Sequence, residues 1–257
     1  MSPTRRGLLL GLGAAALLRP TKNARALGES SRFRIAELRL PGLGSSPRPR
    51  ALARLLWEID KRTSIDVGLE RVELRLGDDT LFHHPLLYLA GDRAFPLPPP
   101  RELERLRRYL ALGGLLLVDS AEGRIGGPFD TSARALLAAA APAGAAPLAP
   151  LPADHVIFQS FYLVEAPTGR LALSPELEAI EHDGRVVAVH TQNDLGGAWA
   201  RDDFGAWEHE CHPGGERQRE LAFRLGINLA MVALCLDYKT DQVHVPFLLK
   251  RRRWKAP

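Results

Sequence analysis

The sequence predicts an α/β fold: an open, mostly parallel, flavodoxin-like sheet with helices on both faces and a β-hairpin near residues 177–190. Three observations carry the prediction. Leu86–Glu122 reads as a buried strand, a turn, an amphipathic helix and a second buried strand ending on Asp119, the pattern of a crossover between parallel strands. Strand and helix signals then alternate along most of the chain, which favours a layered α/β arrangement. Asp183-Gly184 separates two apolar runs, a strong hairpin signal.

Taken in order, Phe33–Leu40 is strand-like and stops at Pro41-Gly42. The Gly-, Ser- and Pro-rich stretch to Pro49 contains Gly42-Leu43-Gly44 but lacks the third glycine of a dinucleotide loop and any Lys-Ser/Thr pair, so it reads as a connection. Ala51–Lys61 is helical, with Leu52, Leu55, Leu56 and Ile59 on one stripe. Val72–Leu76 alternates and ends at Gly77, as a peripheral strand does. Leu86–Ala90 and Leu115–Val118 are apolar throughout, as expected of central strands covered on both faces. Between them Arg101–Leu112 is helical, buried through Leu103, Leu106, Tyr109 and Leu110 and stopped by Gly113-Gly114.

A Gly-rich turn at 123–127 precedes an alanine-rich helix from about Ser132 to Ala140, capped by Asp130 or Thr131. Ala141–Pro152 is a low-complexity Ala/Pro linker on the surface. Leu177–Ile180 and Arg185–His190 form the hairpin, and Glu216–Leu236 is the longest helix. Val243, Val245 and Phe247 alternate in a last extended segment.

Both termini are basic. Residues 1–26 hold Arg5, Arg6, Arg19, Lys22 and Arg25 and no acid, and Lys250, Arg251, Arg252, Arg253 and Lys255 close the chain. The formal charge of +4 therefore belongs to two tails, and the body between them is net acidic. A nucleic-acid-binding domain carries its charge on a folded face, so no nucleic-acid partner is expected.

Thr4-Arg5-Arg6-Gly7-Leu8-Leu9-Leu10 follows the twin-arginine export pattern, with an uncharged run to Leu18 and small residues around Ala24-Arg25-Ala26 for cleavage near Ala26. That run is too short to span a bilayer core of about 30 Å. The expected organisation is a twin-arginine signal peptide at 1–26, one α/β domain at 27–248 and a basic tail at 249–257, with a periplasmic or otherwise exported address. Arg251, Arg252 and Arg253 suit peripheral contact with anionic lipid, or form a solvated tail. Two cysteines, Cys211 and Cys235, allow one disulfide at most.

No sequence element fixes a reaction. G-x-S-x-G is absent, and the residues after Ala90 are Gly91-Asp92-Arg93, a turn without a thiol or hydroxyl. Asp119 ends a central strand, where open α/β sheets bind ligands. It is a metal ligand, a general base or a hydrogen-bond acceptor, or simply caps the N–H groups of the following turn. His209, Cys211 and His212 are the densest metal-competent cluster, but match no HExxH or CxxC motif. With Pro213-Gly214-Gly215 following, they read first as an incidental polar loop. Asp154–Tyr162 and His190–Trp199 each set polar and aromatic residues after an apolar stretch. Asp154 also reads as a helix N-cap, and Trp199 as a packing residue.

The blocks LLYLAGDRAF, RRYLALGGLLLVDS, PADHVIFQSFY and NDLGGAW, in this order and spacing, resemble the bacterial domain-of-unknown-function family 4159 from about Phe33 to Leu236. The resemblance implies a class I glutamine amidotransferase-like scaffold without the catalytic cysteine, an association with the cell envelope, and no established activity. Family members often carry Gly-His where this chain has Gly91-Asp92, and a second Asp where it has Ser120.

The leading expectation is an exported, non-covalent binding or accessory module with no cofactor. Its cleft would gather Asp92, Asp119, His155, Tyr162, Asn193, Asp194 and Trp199 around an envelope protein or a small ligand. The competing expectation is a hydrolase, metal-independent or metal-assisted, using Asp119 or Asp194 with His155 as acid and base.

Overall fold

The structure, a computed structural model, describes residues 32–235. The expected signal segment at 1–26 with its expected junction at Ala26, the expected Val243–Phe247 segment and the tail with Arg251, Arg252 and Arg253 lie outside the described residues.

Seven strands form one sheet: β1 (Ile35–Leu38), β2 (Val72–Leu74), β3 (Leu86–Gly91), β4 (Leu115–Ser120), β5 (Ala149–Pro150), β6 (Glu178–His182) and β7 (Arg185–Thr191). Their order is β2-β1-β3-β4-β7-β6-β5. The first five in that order run parallel, and β6 and β5 are antiparallel additions. This is the open, flavodoxin-like sheet that the alternating pattern predicts, with β2 on the edge. β3 and β4 are buried along their whole lengths because helices cover both faces.

Side-chain alternation divides the core in two. Leu86, Tyr88, Ala90, Leu115 and Leu117 face α1 (Ala51–Arg62) and α5 (Gly215–Leu234), with the short α4 (Leu195–Trp199) between them. Leu87, Leu89, Leu116 and Val118 face α2 (Pro100–Ala111) and α3 (Pro128–Ala140). Each fully buried leucine contributes about 1.5–3 kcal/mol relative to exposure. On the first face the packing depends on a glycine: a Cβ on Gly226 of α5 would lie 2.7 Å from Leu55 and 2.8 Å from Trp199, so no larger residue lets α5 approach α1 and α4 this closely.

The hairpin turn is as predicted. Asp183 and Gly184 have φ of 49° and 75°, the two positive angles that a two-residue turn of this hand requires.

Three local expectations are corrected. The third helix begins at Pro128, ahead of the expected Ser132, with Gly127 as N-cap. Proline supplies the preset φ at the first helical position, and the distant Glu122 carboxylate accepts the N–H groups of Phe129 (3.0 Å) and Asp130 (3.1 Å). Asp130 is therefore inside the first turn, where it cannot cap. The Ala/Pro linker adds the two-residue β5 to the sheet edge. Asp154 is not an N-cap: the single helical turn Val156–Phe158 is capped by His155, whose Nδ1 accepts the N–H of Ile157 at 3.2 Å.

Candidate functional site

The parallel strands deliver their last residues to one rim. β4 places Asp119 there beside Ala90 of β3 and Thr191 of β7. Tyr88 lies on the same face of the neighbouring strand, and its hydroxyl donates to Asp119 Oδ2 at 2.8 Å. After β7 the chain turns through Asp194, which holds a left-handed φ of 56°, a conformation that Asp tolerates better than most residues. The turn aims the backbone N–H groups of Leu195 and Gly196 at Asp119, at 2.9 and 2.7 Å. Asp119 is thus a fully buried acceptor with three donors. It caps α4 across the sheet, and not the turn that follows it in sequence. Burial raises its carboxyl pKa to about 7, the nearby Asp194 charge adds to the rise, and the three donors oppose it.

Asp194 is equally buried. Its Oδ1 accepts the Gly197 N–H at 2.9 Å and Arg48 Nε at 2.9 Å. Its Oδ2 accepts Arg48 Nη2 at 2.6 Å and Arg170 Nε. Burial works against the Arg48 charge, but the hydrogen bond and charge of Asp194 outweigh it and raise the guanidinium pKa. Asn193 holds the second arginine's loop in place. Its Oδ1 accepts the N–H groups of Leu173 and Ser174, and its Nδ2 donates to the carbonyls of Pro167 and Ser174.

The seven candidate ligand residues therefore do not share one cleft. Asp119, Asn193 and Asp194 gather at the start of α4, and Trp199 is its last residue. Trp199 is a packing residue, fully buried, with Nε1 donating to the Ala222 carbonyl at 3.0 Å. Asp92 is on the same rim but exposed and paired with Arg93 at 2.8 Å. Tyr162 lies against α5, where its N–H meets Asn228 Oδ1 and its ring lies 5.3 Å from the Arg224 guanidinium.

His155 is at the other end of the sheet. Its Nε2 is 3.4 Å from Glu181, which pairs with Val186 at the start of β7. The acid–base set of Asp119 or Asp194 with His155 is thus not assembled.

His209, Cys211 and His212 also separate. Cys211 is buried in the core, with its thiol pKa pushed up by burial, while His212 is exposed. Among the described residues no group of three His, Cys, Asp or Glu side chains is arranged to hold a metal ion. Cys235 is exposed at the end of α5.

Sequence reasoning missed a second charged cluster, part-buried, on the opposite face. Arg134 of α3 reaches both oxygens of Asp130 (3.1 and 3.0 Å) and both of Glu178 (2.9 and 2.5 Å). His190 Nδ1 is 3.2 Å from Glu178. His190 Nε2 is also 3.2 Å from Asp130, but in a direction that makes no hydrogen bond. The bond from His190 lowers the Glu178 pKa to about 2, with burial opposing and Arg134 assisting. A cavity of about 390 Å³ lies beside Arg134, walled by Ala138, Ala141, Leu148 and Ile180.

The family model described as Domain of unknown function (DUF4159) matches residues 34–234. The chain belongs to that family. The DUF4159 match starts just before β1 and ends with the last residue of α5, so it takes in every strand and helix described above. A search of curated proteins gave no match. Arg48, Arg170 and Tyr88 were also missed as site residues. The one available signal was Tyr88, a phenol in an otherwise aliphatic strand, because a buried tyrosine hydroxyl needs a partner.

Proposed function

We propose that this DUF4159 chain is an exported, non-covalent binding or accessory domain of the bacterial cell envelope that works through the rim at the strands' carboxyl ends. The saturation of the two rim carboxylates carries the reading. All four oxygens of Asp119 and Asp194 accept internal donors, so both are covered within the fold and turned away from substrate or metal. The strand order supports a scaffold resembling class I glutamine amidotransferases, in which β3 would lead to the nucleophile. Here a Cβ on Gly91 would lie 2.2 Å from the Phe129 ring, and Asp92 after it turns outward to Arg93.

The partner is an envelope protein or a small molecule, and not nucleic acid. The Arg251–Arg253 segment adds a peripheral contact with anionic lipid, and Arg5-Arg6 directs export. A hydrolase reading draws on one observation, the Asp119 carboxyl near 7, a value suited to acid–base exchange. It requires α4 to move off Asp119.

Two comparisons test the proposal. Arg93→Glu on the rim abolishes retention of envelope material on immobilised protein, while Leu112→Glu, an exposed position at the opposite end of the sheet, does not. Equal retention by both removes the rim from the proposal. Replacing Arg5 and Arg6 by Lys leaves the protein in the cytoplasmic fraction, and unchanged delivery refutes twin-arginine export.

A further inference from the structure

Arg170 is fixed in place and only partly used. Its backbone N–H donates to the Asp194 carbonyl at 2.8 Å, and its carbonyl accepts His212 N–H at 2.8 Å and Gln218 Nε2 at 3.0 Å. Asn193 secures the rest of its loop, and its Nε is committed to Asp194. The terminal Nη1 and Nη2 make no hydrogen bond among the described residues, and the side chain is 23% exposed. A guanidinium held by Nε alone presents its two Nη groups as a planar fork, the geometry that meets a carboxylate through two parallel bonds.

Charge and access agree with that geometry. Arg48 and Arg170 share the carboxylate of Asp194, while Asp119 beside it is taken up by Tyr88 and the first N–H groups of α4. The nearby Asp92 is already matched by Arg93. A monoanion is matched by the one free guanidinium fork, whereas a phosphate dianion brings a second charge to it. The approach runs past Gly123, in an exposed turn with φ of 73°. A Cβ there would lie 3.7 Å from Arg170 Nη2, an ordinary contact distance, so the turn borders the fork and a longer side chain at this position could reach over it.

We propose that Arg170, backed by Arg48 and reached past Gly123, binds the carboxylate of a small acid or of a peptide's carboxyl terminus. This rests on the rim-binding reading above and names the chemistry of its ligand.

The test is an NMR titration of the full chain with N-acetylglycine, N-acetylglycinamide, a short peptide with a free carboxyl terminus, and inorganic phosphate. The expected result is saturable shifts at Gly123 and Arg170 with the acid and none with the amide. Affinity falls at least tenfold in Arg170→Lys, which keeps the charge and loses the fork. Tighter binding of the peptide than of N-acetylglycine assigns the ligand to a chain terminus, and equal binding to a small acid.

Should Arg170→Lys fail to fold, Gly123→Asn serves instead: asparagine tolerates the positive φ, covers the fork, and should abolish the shifts. Equal affinity for amide and acid, tighter binding of phosphate, or binding undiminished in both variants overturns the proposal. Failure of every carboxylate arm with rim-dependent retention intact overturns the ligand chemistry alone. Loss of both overturns the binding reading as well.

Discussion

On the α1/α5 face of the sheet, one carboxylate, Asp194, meets two arginines. On the α2/α3 face, one arginine, Arg134, meets two carboxylates, with His190 between them. Both clusters sit near the carboxyl end of β7, on opposite sides of a single layer of backbone. The first has donors left over at its solvent edge. The second spends all three nitrogens' worth of its arginine fork, Nε and both Nη, on Asp130 and Glu178, and His190 adds a hydrogen bond to Glu178. An excess of donors suits binding, and a closed ring of charges suits holding α3 to β6 and β7.

The sharpest way to break the contrast is Asp194→Ala. Removing the shared carboxylate leaves two part-buried guanidiniums uncompensated and puts alanine at a positive φ. A loss of about 3–5 kcal/mol is expected by urea unfolding. The next test is pH. Asp119 has a folded pKa near 7 against an ordinary value of 3.8, so the folded state holds this proton more tightly than the unfolded chain. Its contribution to stability is full below about pH 4 and is lost as pH rises through 7. Asp119→Asn should flatten stability across that window. Glu178 runs the other way. With its pKa held near 2 against 4.5, it stabilises above about pH 4.5 and loses that contribution as pH falls towards 2. His190→Gln should shrink that acid-side loss while leaving the Asp119 window unchanged.

Arg134→Met should cost less than Asp194→Ala, about 1–2 kcal/mol, because the arginine is 38% exposed and water takes over part of its role. Tyr88→Phe removes one donor of three from Asp119 and should cost about 1 kcal/mol by the same unfolding measurement. If Arg134→Met proves the more damaging of the two arginine-cluster changes, the assignment of roles to the two faces is reversed.

How much of this was legible follows from the range of each interaction. The aliphatic runs at 86–90 and 115–118, the Asp183-Gly184 turn and the leucine stripe of α1 are local patterns, and each became the element it predicts. The interior of the site is not local. Arg48 and Asp194 are 146 residues apart, and Arg48 lies in a Ser/Pro-rich stretch that reads as mere connection. His155 was placed with Asp119 because both follow apolar runs. The antiparallel turn at Asp183-Gly184 instead carries Glu181, and His155 with it, to the amino end of β7. The start of α3 was misplaced because its capping carboxylate, Glu122, comes from outside the helix.

The left-handed turn at Asp194 also bears on the order of folding. Its carboxylate can be desolvated only after Arg48, from the far side of the chain, and Arg170, from a separate loop, have both arrived. Closing so long a loop is slow, because chain entropy is lost before the contact forms. Asp194 should therefore close late, as a lock on a sheet already in register. Substitutions there should accelerate unfolding and leave the refolding rate nearly unchanged.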